Sequence, residues 1–412
     1  MSTPLPGESF SSDSASGSRE SSGPEPMANR EPSAALPPTV ADLSVDRATR
    51  LALSCVVDGG DPAVAEVALV SGATAAWEQV SAGRFGDGLA QRAAHLDLDR
   101  VLGRAARSRA RFVVPGDDEW PARLADLRYC DEVQRRGGVP FGLWLRGPGH
   151  LAQLAERSVA IVGSRAATQY GMNVATDLGA ELAEAGFTVI SGGAYGIDAG
   201  AHRGAMTVGG PTVAVLANGV DVDYPQGNSK IFDWIAEHGL IISELAPGNH
   251  PTRVRFLARN RLIAALSLGT VVVEAALRSG ARNTASWAVG CNRMLMAVPG
   301  SVESAMSAAP HLMIRNGQAT LVTSAAEVLE MVSASGQAML PIEHGPTRVT
   351  DALDPVQLSV YEAVPARRRV SPGEIALAAG VSVPTALAQL AVLEDAGLVL
   401  SEPEGWRAVV QR

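Results

Sequence analysis

Between residues 158 and 298, short apolar runs alternate with stretches of helical periodicity, and glycine or serine follows several of the runs. Short runs without polar alternation are typical of strands buried on both faces, as in a parallel sheet covered by helices. The alternation therefore predicts an α/β domain with a Rossmann-like parallel sheet over residues 150–335. The predicted strands are 158–162, 188–190, 212–216, 240–243, 270–273 and 294–298, and the predicted helices are 171–185, 198–206, 228–238, 259–266 and 284–289.

Composition divides the rest of the chain. Residues 1–40 are rich in Ser, Pro and Gly, which predicts a disordered tail. Residues 41–106 have helical apolar spacing and predict a small helical (SAM-like) domain, and residues 107–149 form a connector with two apolar stretches. A polar linker over 336–353 leads to residues 354–412, where three helices and a β-ribbon predict a winged-helix domain.

Cysteine usage and hydropathy exclude several classes of protein. Cys55, Cys130 and Cys291 lack CxxC spacing, so neither a disulfide framework nor a zinc site is indicated. No signal peptide opens the sequence, and no apolar run approaches the ~18 residues of a membrane span. We therefore expect a soluble, cytoplasmic protein that contacts no membrane and uses no metal or other cofactor.

The net charge of −9 is distributed unevenly. Residues 157–300 hold eleven basic and ten acidic side chains, so the acidity lies outside the α/β domain. Residues 371–405 contain five acidic side chains and no Lys or Arg, a balance that repels phosphate. For the C-terminal region we therefore expect contact with protein, or packing on the core, rather than binding of DNA.

Two glycine-rich turns have the composition of anion sites. The first predicted strand opens onto Gly163, Ser164 and Arg165, where a small residue lets backbone amides approach a phosphate and the arginine adds charge. The second opens onto residues 191–198, which contain three glycines. Glycine also serves ordinary strand-to-helix turns, but two such turns on neighbouring strands favour a phosphate site.

An arginine-rich stretch with one aromatic side chain follows, over residues 253–261. A cationic track with an aromatic platform is typical of sequence-tolerant binding to single-stranded nucleic acid. The alternative is a solvated helix face with Phe256 in the core, and we expect Asn260 and Arg261 to hold neighbouring loops. The candidate binding residues of this stretch are Arg253, Arg255, Phe256, Arg259, Asn260 and Arg261.

Other sites are less well supported by the sequence. A dinucleotide site is excluded by the absence of GxGxxG and of an acidic residue after the second strand. Glu274 is predicted to cap backbone amides and Asp198 to be a helix N-cap, although either could serve a hydrolase as acid or base. His202 and His250 are isolated, so a ligand role is not indicated for them.

Eight motifs carry a resemblance to a known family. In order, they are VGSR, SGGAYGIDAGAH, DVDYP, SELAPG, FLARNRLIAALS, VVVEA, SGARNTASWA and AVPG. Together they resemble the DNA-processing protein A (DprA, also called Smf) family, with a weaker likeness from about residue 112 to the C-terminus. The resemblance implies a Rossmann-like core that binds single-stranded DNA without sequence preference, forms homodimers and hands the strand to the RecA recombinase during natural transformation.

The resemblance assigns roles by position. Leu257 stands where the family often has proline, and Arg282 adds charge to a loop that often reads Leu-Ile. We expect a non-enzymatic protein that binds and protects incoming DNA and promotes RecA loading. The alternative is a phosphoribohydrolase that cleaves nucleoside monophosphates; its glycine-rich loop before Glu274 is incomplete here. The DNA-binding residues implied by the family are Gly163, Ser164, Arg165, Gly192, Gly193, Arg253, Phe256, Arg259, Asn260 and Arg261, to which Arg255 and Arg282 are added.

Overall fold

The computed structural model describes residues 39–333 and 349–409, and the chain divides into two compact units between residues 338 and 339. We call residues 39–333 the main unit and residues 349–409 the C-terminal unit. The predicted disordered tail, apart from its last two residues, and most of the predicted linker lie outside the described residues.

The main unit is built on one sheet, whose order is β1-β2-β6-β5-β4-β3-β7-β8-β9. Neighbouring strands from β3 to β9 are parallel, whereas β2 is antiparallel to both β1 and β6. The predicted Rossmann-like parallel sheet is confirmed, and each of the six predicted strands is present to within one residue at either end. The strands are β1 (Ala110–Val113), β2 (Leu143–Arg146), β3 (Ser158–Val162), β4 (Thr188–Ser191), β5 (Thr212–Leu216), β6 (Leu240–Ser243), β7 (Gly269–Val272), β8 (Met294–Ala297) and β9 (Thr320–Leu321).

Helices cover both faces of this sheet. Val159 and Ile161 of β3 pack in one buried cluster with α7, α8 and α13, whereas Ala160 and Val162 pack in another with α10, α11 and α12. This alternation follows from the two-residue period of a strand. The helices are α1 (Val45–Val56), α2 (Pro62–Ser71), α3 (Ala73–Ser81), α4 (Asp87–Ala94), α5 (Leu98–Arg107), α6 (Leu151–Glu156), α7 (Gln169–Glu184), α8 (Ile197–Thr207), α9 (Ser229–His238), α10 (Arg253–Leu266), α11 (Ala281–Gly290), α12 (Ala308–Arg315) and α13 (Ala325–Val332).

Residues 107–149, which the sequence presents as a connector, contribute β1 and β2 to the sheet. The rings of Phe112 and Trp144 lie 4.8 Å apart between centroids. Trp144 also shares a buried cluster with Leu51 of α1 and Leu102 of α5. Helices α1 and α5 therefore pack against the β1–β2 end of the sheet, within the same compact unit.

Two of the three cysteines lie side by side, which their spacing in the sequence does not indicate. The Sγ atoms of Cys130 and Cys291 are 3.0 Å apart, at the end of a 3₁₀ turn (Ala122–Tyr129) and of α11. Burial raises the pKa of both thiols. Cys130 and Cys291 are therefore two protonated thiols in contact.

The C-terminal unit contains α14 (Pro355–Glu362), α15 (Pro372–Ala379), α16 (Val383–Asp395) and an antiparallel pair, β10 (Val399–Glu402) and β11 (Gly405–Ala408). The predicted capping box of Ser371 and Glu374 is present, and Ser382 caps α16 as predicted. The element order is the predicted one, and the winged-helix assignment stays a prediction.

Among residues 39–333 and 349–409, no single helix is long and apolar enough to cross a membrane. By length and composition, α15 and α16 pass that test only together, and they meet at a bend of 102°.

Candidate nucleic-acid interface

A cavity of about 370 Å³ opens at the carboxyl ends of β3 and β7. The helix after β3 (α7) covers one face of the sheet and the helix after β7 (α11) covers the other, so the two following loops diverge and leave a crevice. Ligands of open α/β sheets bind at such a switch point. The cavity is lined by Val162, Gly163, Ser164, Arg165, Ala166, Ala194, Asp198, Phe256, Leu257, Arg259, Asn260, Ile263, Ser279, Gly280, Ala281 and Thr284.

The loop after β3 forms the first wall of the cavity. A Cβ atom on Gly163 would lie 2.4 Å from Ile197, so glycine is required there by packing. The backbone amide of Ser164 donates to the carbonyl oxygen of Glu274 at 2.6 Å, and the Ser164 hydroxyl accepts from the Ala166 amide at 3.1 Å. These bonds fix a tight loop that turns the next side chain, Arg165, to the surface.

Arg165 and Phe256, 91 positions apart in the sequence, are in direct contact. The Arg165 Cζ atom lies 4.5 Å from the centroid of the Phe256 ring, a cation–π arrangement. Phe256 is half-buried, and the Tyr224 ring lies 5.9 Å away, tilted by 48°. Within the described residues, the Arg165 guanidinium has no hydrogen bond or ion pair. A cation without a direct ion pair in the described residues is therefore held against a half-buried aromatic ring.

Arg259 is the second cation at this ring, with its Cζ atom 5.9 Å from the Phe256 centroid. Arg259 is buried, and its Nη1 donates to the carbonyl oxygens of Gly192 (2.7 Å) and Val215, which ties together the ends of β4 and β5. Burial lowers the pKa of Arg259 to about 10, so it stays charged at neutral pH. Its Nη2 makes no hydrogen bond to the residues that the structure describes, and Arg259 lines the cavity.

The second glycine-rich turn already holds a carboxyl group of the protein. Asp198 Oδ2 accepts from the backbone amides of Gly192 at 3.2 Å and Ala194 at 3.4 Å. Burial raises the pKa of the Asp198 carboxyl, against the opposing effect of Arg259 and the two amides. The amides that the sequence offered to a phosphate are therefore used by a side chain of the protein.

Gly192 and Gly193 shape the site without lining the cavity. A Cβ atom on Gly192 would lie 2.0 Å from Arg259 Nη1, so the close approach of Arg259 requires glycine. Gly193 has φ +66° and would meet the Phe232 ring at 2.5 Å. Gly192 therefore leaves room for the Arg259 guanidinium, and Gly193 supplies the backbone conformation of the turn.

Arg261 has a structural environment. It is fully buried, and its Nη1 and Nη2 donate to the two carboxylate oxygens of Glu244 at 2.7 and 2.6 Å. The loop between α1 and α2 covers this pair, since a Cβ atom on Gly59 would lie 2.3 Å from the Glu244 carboxylate. The guanidinium of Arg261 is therefore unavailable to a phosphate, in agreement with its expected role in holding loops.

Asn260 also holds loops, as the sequence suggests. Its Oδ1 accepts from Arg259 Nε at 3.2 Å, and its Nδ2 donates to the side-chain oxygen of Asn283 at 3.2 Å and to the Gly280 carbonyl at 3.4 Å. Asn260 thereby connects α10 to the start of α11. Asn260 also lines the cavity.

The remaining candidate arginines differ in how many hydrogen bonds and ion pairs their guanidinium groups make within the protein. Arg255 pairs with Asp58 (Nη2 to Oδ1, 3.0 Å) and donates to the His250 carbonyl at 2.6 Å. Arg253, the first residue of α10, is exposed, and its side chain has no partner in the described part of the chain. Arg282 is exposed in the first turn of α11 and donates to the Leu277 carbonyl at 2.7 Å. Arg253 and Arg282 are therefore exposed cations on α10 and α11, two helices whose residues line the cavity.

Two acidic residues differ in how well the sequence predicted them. Glu274 caps the start of α7, because its carboxylate accepts from the amide and the hydroxyl of Thr168 at 2.8 and 2.7 Å; this prediction is confirmed. The prediction that Asp198 is an N-cap is wrong. Helix α8 begins at Ile197 with Gly196 as its N-cap, and Asp198 bonds back to the turn that precedes it.

One wall of the cavity was not predicted as a site. Ser279, Gly280, Ala281 and Thr284 line it from the start of α11. They belong to the motif SGARNTASWA, but all four are small and uncharged, so only their place after β7 marks them as candidates. The available signal was the position of this loop beyond the carboxyl end of a strand.

Comparison with known proteins agrees with the fold. Residues 111–333 match the model of the family described as DNA recombination-mediator protein A. The chain is 44% identical over 346 residues to a putative DNA processing protein DprA of Mycobacterium tuberculosis, covering 82% of this chain and 87% of that protein. It is 34% identical over 299 residues to the Smf protein of Escherichia coli, covering 71% of this chain and 76% of that protein. The structure of DNA processing protein A from Streptococcus pneumoniae superposes with a TM-score of 0.56 at 31% identity, covering 69% of this chain and 96% of that one.

Proposed function

This chain belongs to the DNA recombination-mediator protein A family, and we propose that it binds single-stranded DNA in the cavity at the ends of β3 and β7. The observation that carries the proposal is the contact between Arg165 and Phe256. It combines, in one place, a cation that forms no ion pair or hydrogen bond among the described residues and an aromatic surface.

These two side chains suit the two parts of a nucleotide. A guanidinium offers several N–H donors in a fork that matches the oxygens of a phosphate. An aromatic ring offers a stacking surface to any base, worth about 1–3 kcal/mol per base. Stacking on a side chain requires a base that is free of its neighbours, as in a single strand. The arrangement therefore favours single-stranded over duplex DNA, without preference for sequence.

The role of this binding follows from the family resemblance. We infer that the protein binds and protects incoming DNA and promotes loading of RecA on it, in natural transformation and recombination. The same resemblance supports a homodimer, and we propose, from the sequence, that the protein acts in the cytoplasm. In this proposal DNA occupies the main unit, which leaves the C-terminal unit for other contacts.

The C-terminal unit suits protein contact better than DNA. On α16, the side chains of Val383 and Leu387 are exposed, and on α15 Leu377 is 86% exposed. A helix that reads DNA needs polar and basic side chains on its outer face. Here that face is apolar, and residues 371–405 carry only acidic charges. We therefore assign this unit to a protein partner.

The geometry of Glu274 supports a binding protein over the phosphoribohydrolase alternative. Both of its carboxylate oxygens accept hydrogen bonds from Thr168, and Glu274 lines a separate cavity with Thr168 and Tyr170 rather than the cavity that contains Arg165. A general acid or base must reach a substrate atom. A carboxylate committed to the start of a helix is poorly placed for that task.

A gel-shift titration with an oligo(dT) and with a duplex of the same length tests the proposal. We expect tighter binding to the single strand by the full chain and weaker binding by Arg165→Gln. Equal affinity for both DNAs would count against the proposal. The alternative is tested in parallel, by release of free base from nucleoside monophosphates, for which we expect no activity above a no-protein control.

A further inference from the structure

The wall of the cavity that faces α11 has unused hydrogen-bond donors. Gly280 is the N-cap of this ten-residue helix, and no side chain caps it. The backbone amides of Gly280, Ala281 and Arg282 make no hydrogen bond within the described residues, whereas those of Asn283 and Thr284 donate to the Gly280 carbonyl. Helix starts leave such amides free for an anion, and the helix dipole adds to the attraction.

A second, independent observation points to a ligand at this wall. The hydroxyl oxygen of Ser279 is buried and has no hydrogen-bond partner among the described residues, and Ser279 lines the same cavity. Buried hydroxyl groups are nearly always hydrogen-bonded in folded proteins. Ser279 as a residue is half-buried, so a rotation of its side chain would bring this hydroxyl into contact with an oxygen-rich ligand in the cavity.

The surroundings of this wall favour an anion. No acidic residue lies in the first turn of α11, whereas Arg278 and Arg282 flank Gly280 and are exposed. A Cβ atom on Gly280 would meet no atom within 4 Å, so the approach to the helix start is open. Asn260 holds the Gly280 carbonyl and thereby fixes this wall relative to α10, which carries Phe256.

We propose that the start of α11, with Ser279, Gly280 and Ala281, is a second phosphate site, which takes a phosphate of the same strand next to the one held at Arg165. A single nucleoside then lies between the two walls, beside Phe256. This inference rests on the proposed binding of single-stranded DNA, and it adds residues that neither the arginine track nor the glycine turns include.

Two substitutions in the full chain test the site, each with a fluorescent oligo(dT) as the probe. Ser279→Ala removes a hydroxyl that has no partner in the free protein, so the melting temperature is expected to stay or rise. Loss of a hydrogen bond to a charged phosphate is expected to weaken binding about ten-fold. Stability and affinity therefore change in different directions, which an unfolded variant cannot imitate.

The second test compares two substitutions at Gly280, to Asp and to Asn, whose side chains have nearly the same shape but different charge. Gly280 has φ −63°, so other residues fit its backbone. Gly280→Asp is expected to bind oligo(dT) at least about ten-fold more weakly than Gly280→Asn, because its carboxylate repels a phosphate at the same place. The control pair, Ser286→Asp and Ser286→Asn, lies further along α11 on an exposed position and is expected to differ much less.

The outcomes separate this inference from the proposed function. If the wild-type chain does not bind oligo(dT), both are overturned. If it binds and Arg165→Gln weakens binding, while Ser279→Ala and the Gly280 pair all bind like the wild type, the second phosphate site is overturned and the proposed function stands. Equal losses for the Asp variants at positions 280 and 286 would also overturn the site, because repulsion would then be non-specific.

Discussion

The guanidinium of Arg165 lies 4.5 Å from the centre of the Phe256 ring, so the loop after β3 and the first turns of α10 present one composite surface. Desolvated cation–π contacts are worth up to about 2 kcal/mol and exposed ones less. Arg165 is exposed and Phe256 half-buried, so we place this contact at the lower end. Its main consequence is orientation: each side chain restricts the rotamers of the other before a ligand arrives.

Replacing Phe256 tests whether the ring is a stacking platform. For Phe256→Ala we expect about 1–3 kcal/mol weaker binding to oligo(dT), with little dependence on salt. Because the ring is half-buried, we expect only a modest loss of stability, in contrast to the about 3–5 kcal/mol typical of a core phenylalanine. Thermal melts and DNA titrations on the same variant measure the two quantities. A strongly lowered melting temperature with normal affinity in the folded fraction would refute the platform.

The contact between Arg165 and Phe256 predicts non-additive effects. We expect Arg165→Ala and Phe256→Ala together to weaken binding by less than the sum of the single changes, since each removes part of what the other orients. A double-mutant cycle on oligo(dT) affinity measures this coupling. Strict additivity would mean that the two residues contact the strand independently.

Salt dependence distinguishes arginines that contact phosphate from those that do not. Arg165→Ala and Arg253→Ala are each expected to reduce the slope of log affinity against log salt by about 0.7, the value for one phosphate contact in single strands. Arg203→Ala, an exposed position on α8 that does not line the cavity, serves as the control and is expected to leave the slope unchanged. An unchanged slope in the folded Arg165 variant would assign that residue a structural role.

Arg261 is expected to matter for stability rather than for binding. Removing one partner of a buried ion pair leaves an uncompensated charge and costs about 3–5 kcal/mol. We expect this loss for Arg261→Met, measured by denaturant unfolding, and a substantial recovery when Glu244→Leu is added. Affinity for oligo(dT) in the folded fraction should be unchanged. Weakened binding at full stability would return Arg261 to the list of DNA contacts.

The sequence was sufficient for the parallel sheet because its strands are uninterrupted apolar runs, which no other element of this length explains as well. Among the arginines of α10, it singled out Arg261 as holding loops but did not separate Arg253, Arg255 and Arg259 by role. Arg255 pairs with Asp58, 197 positions away, whereas Arg253 has no side-chain partner in the described residues. Only tertiary contacts determine which of these arginines forms an ion pair within the protein.

The start of α10 and the Cys130–Cys291 contact show the same limit. Helix α10 begins six residues before the predicted start at Arg259, because Thr252 caps it by accepting from the Arg255 amide. Its polar first turns hide the helical period of the apolar residues that follow. The two thiols meet only because the 3₁₀ turn and α11 pack together, which spacing along the chain does not encode.

Truncation tests where binding lies and what the main unit needs. A chain that ends at residue 338 is expected to keep its affinity for oligo(dT), because the cavity belongs wholly to the main unit. A fragment that starts at residue 150 is expected to be poorly folded, since it lacks β2, which pairs with β6, and the partners of Trp144 in the buried cluster. Solubility, circular dichroism and titration compare the two. Weak binding by a well-folded chain that ends at residue 338 would implicate the C-terminal unit in DNA contact.

His202 is expected to make the fold sensitive to mild acid. It is fully buried, and burial lowers its pKa to about 3, from an ordinary value of 6.5. The Thr212 hydroxyl donates to the Val189 carbonyl and so accepts from His202 Nδ1 at 2.8 Å, which leaves Nε2 without a proton and without a partner in the described residues.

Below pH 6.5 the unfolded chain binds a proton at this histidine, whereas the folded chain does not. The stability from a neutral His202 is therefore fully present above pH 6.5 and is lost as the pH falls toward 3, with about 2 kcal/mol of the loss expected between pH 7 and pH 5. Urea unfolding of the wild type and of His202→Gln at these two pH values isolates this contribution from the other six histidines. The variant should lose less stability on acidification, by roughly that amount; identical losses in the two proteins would show that His202 is not held neutral by the fold.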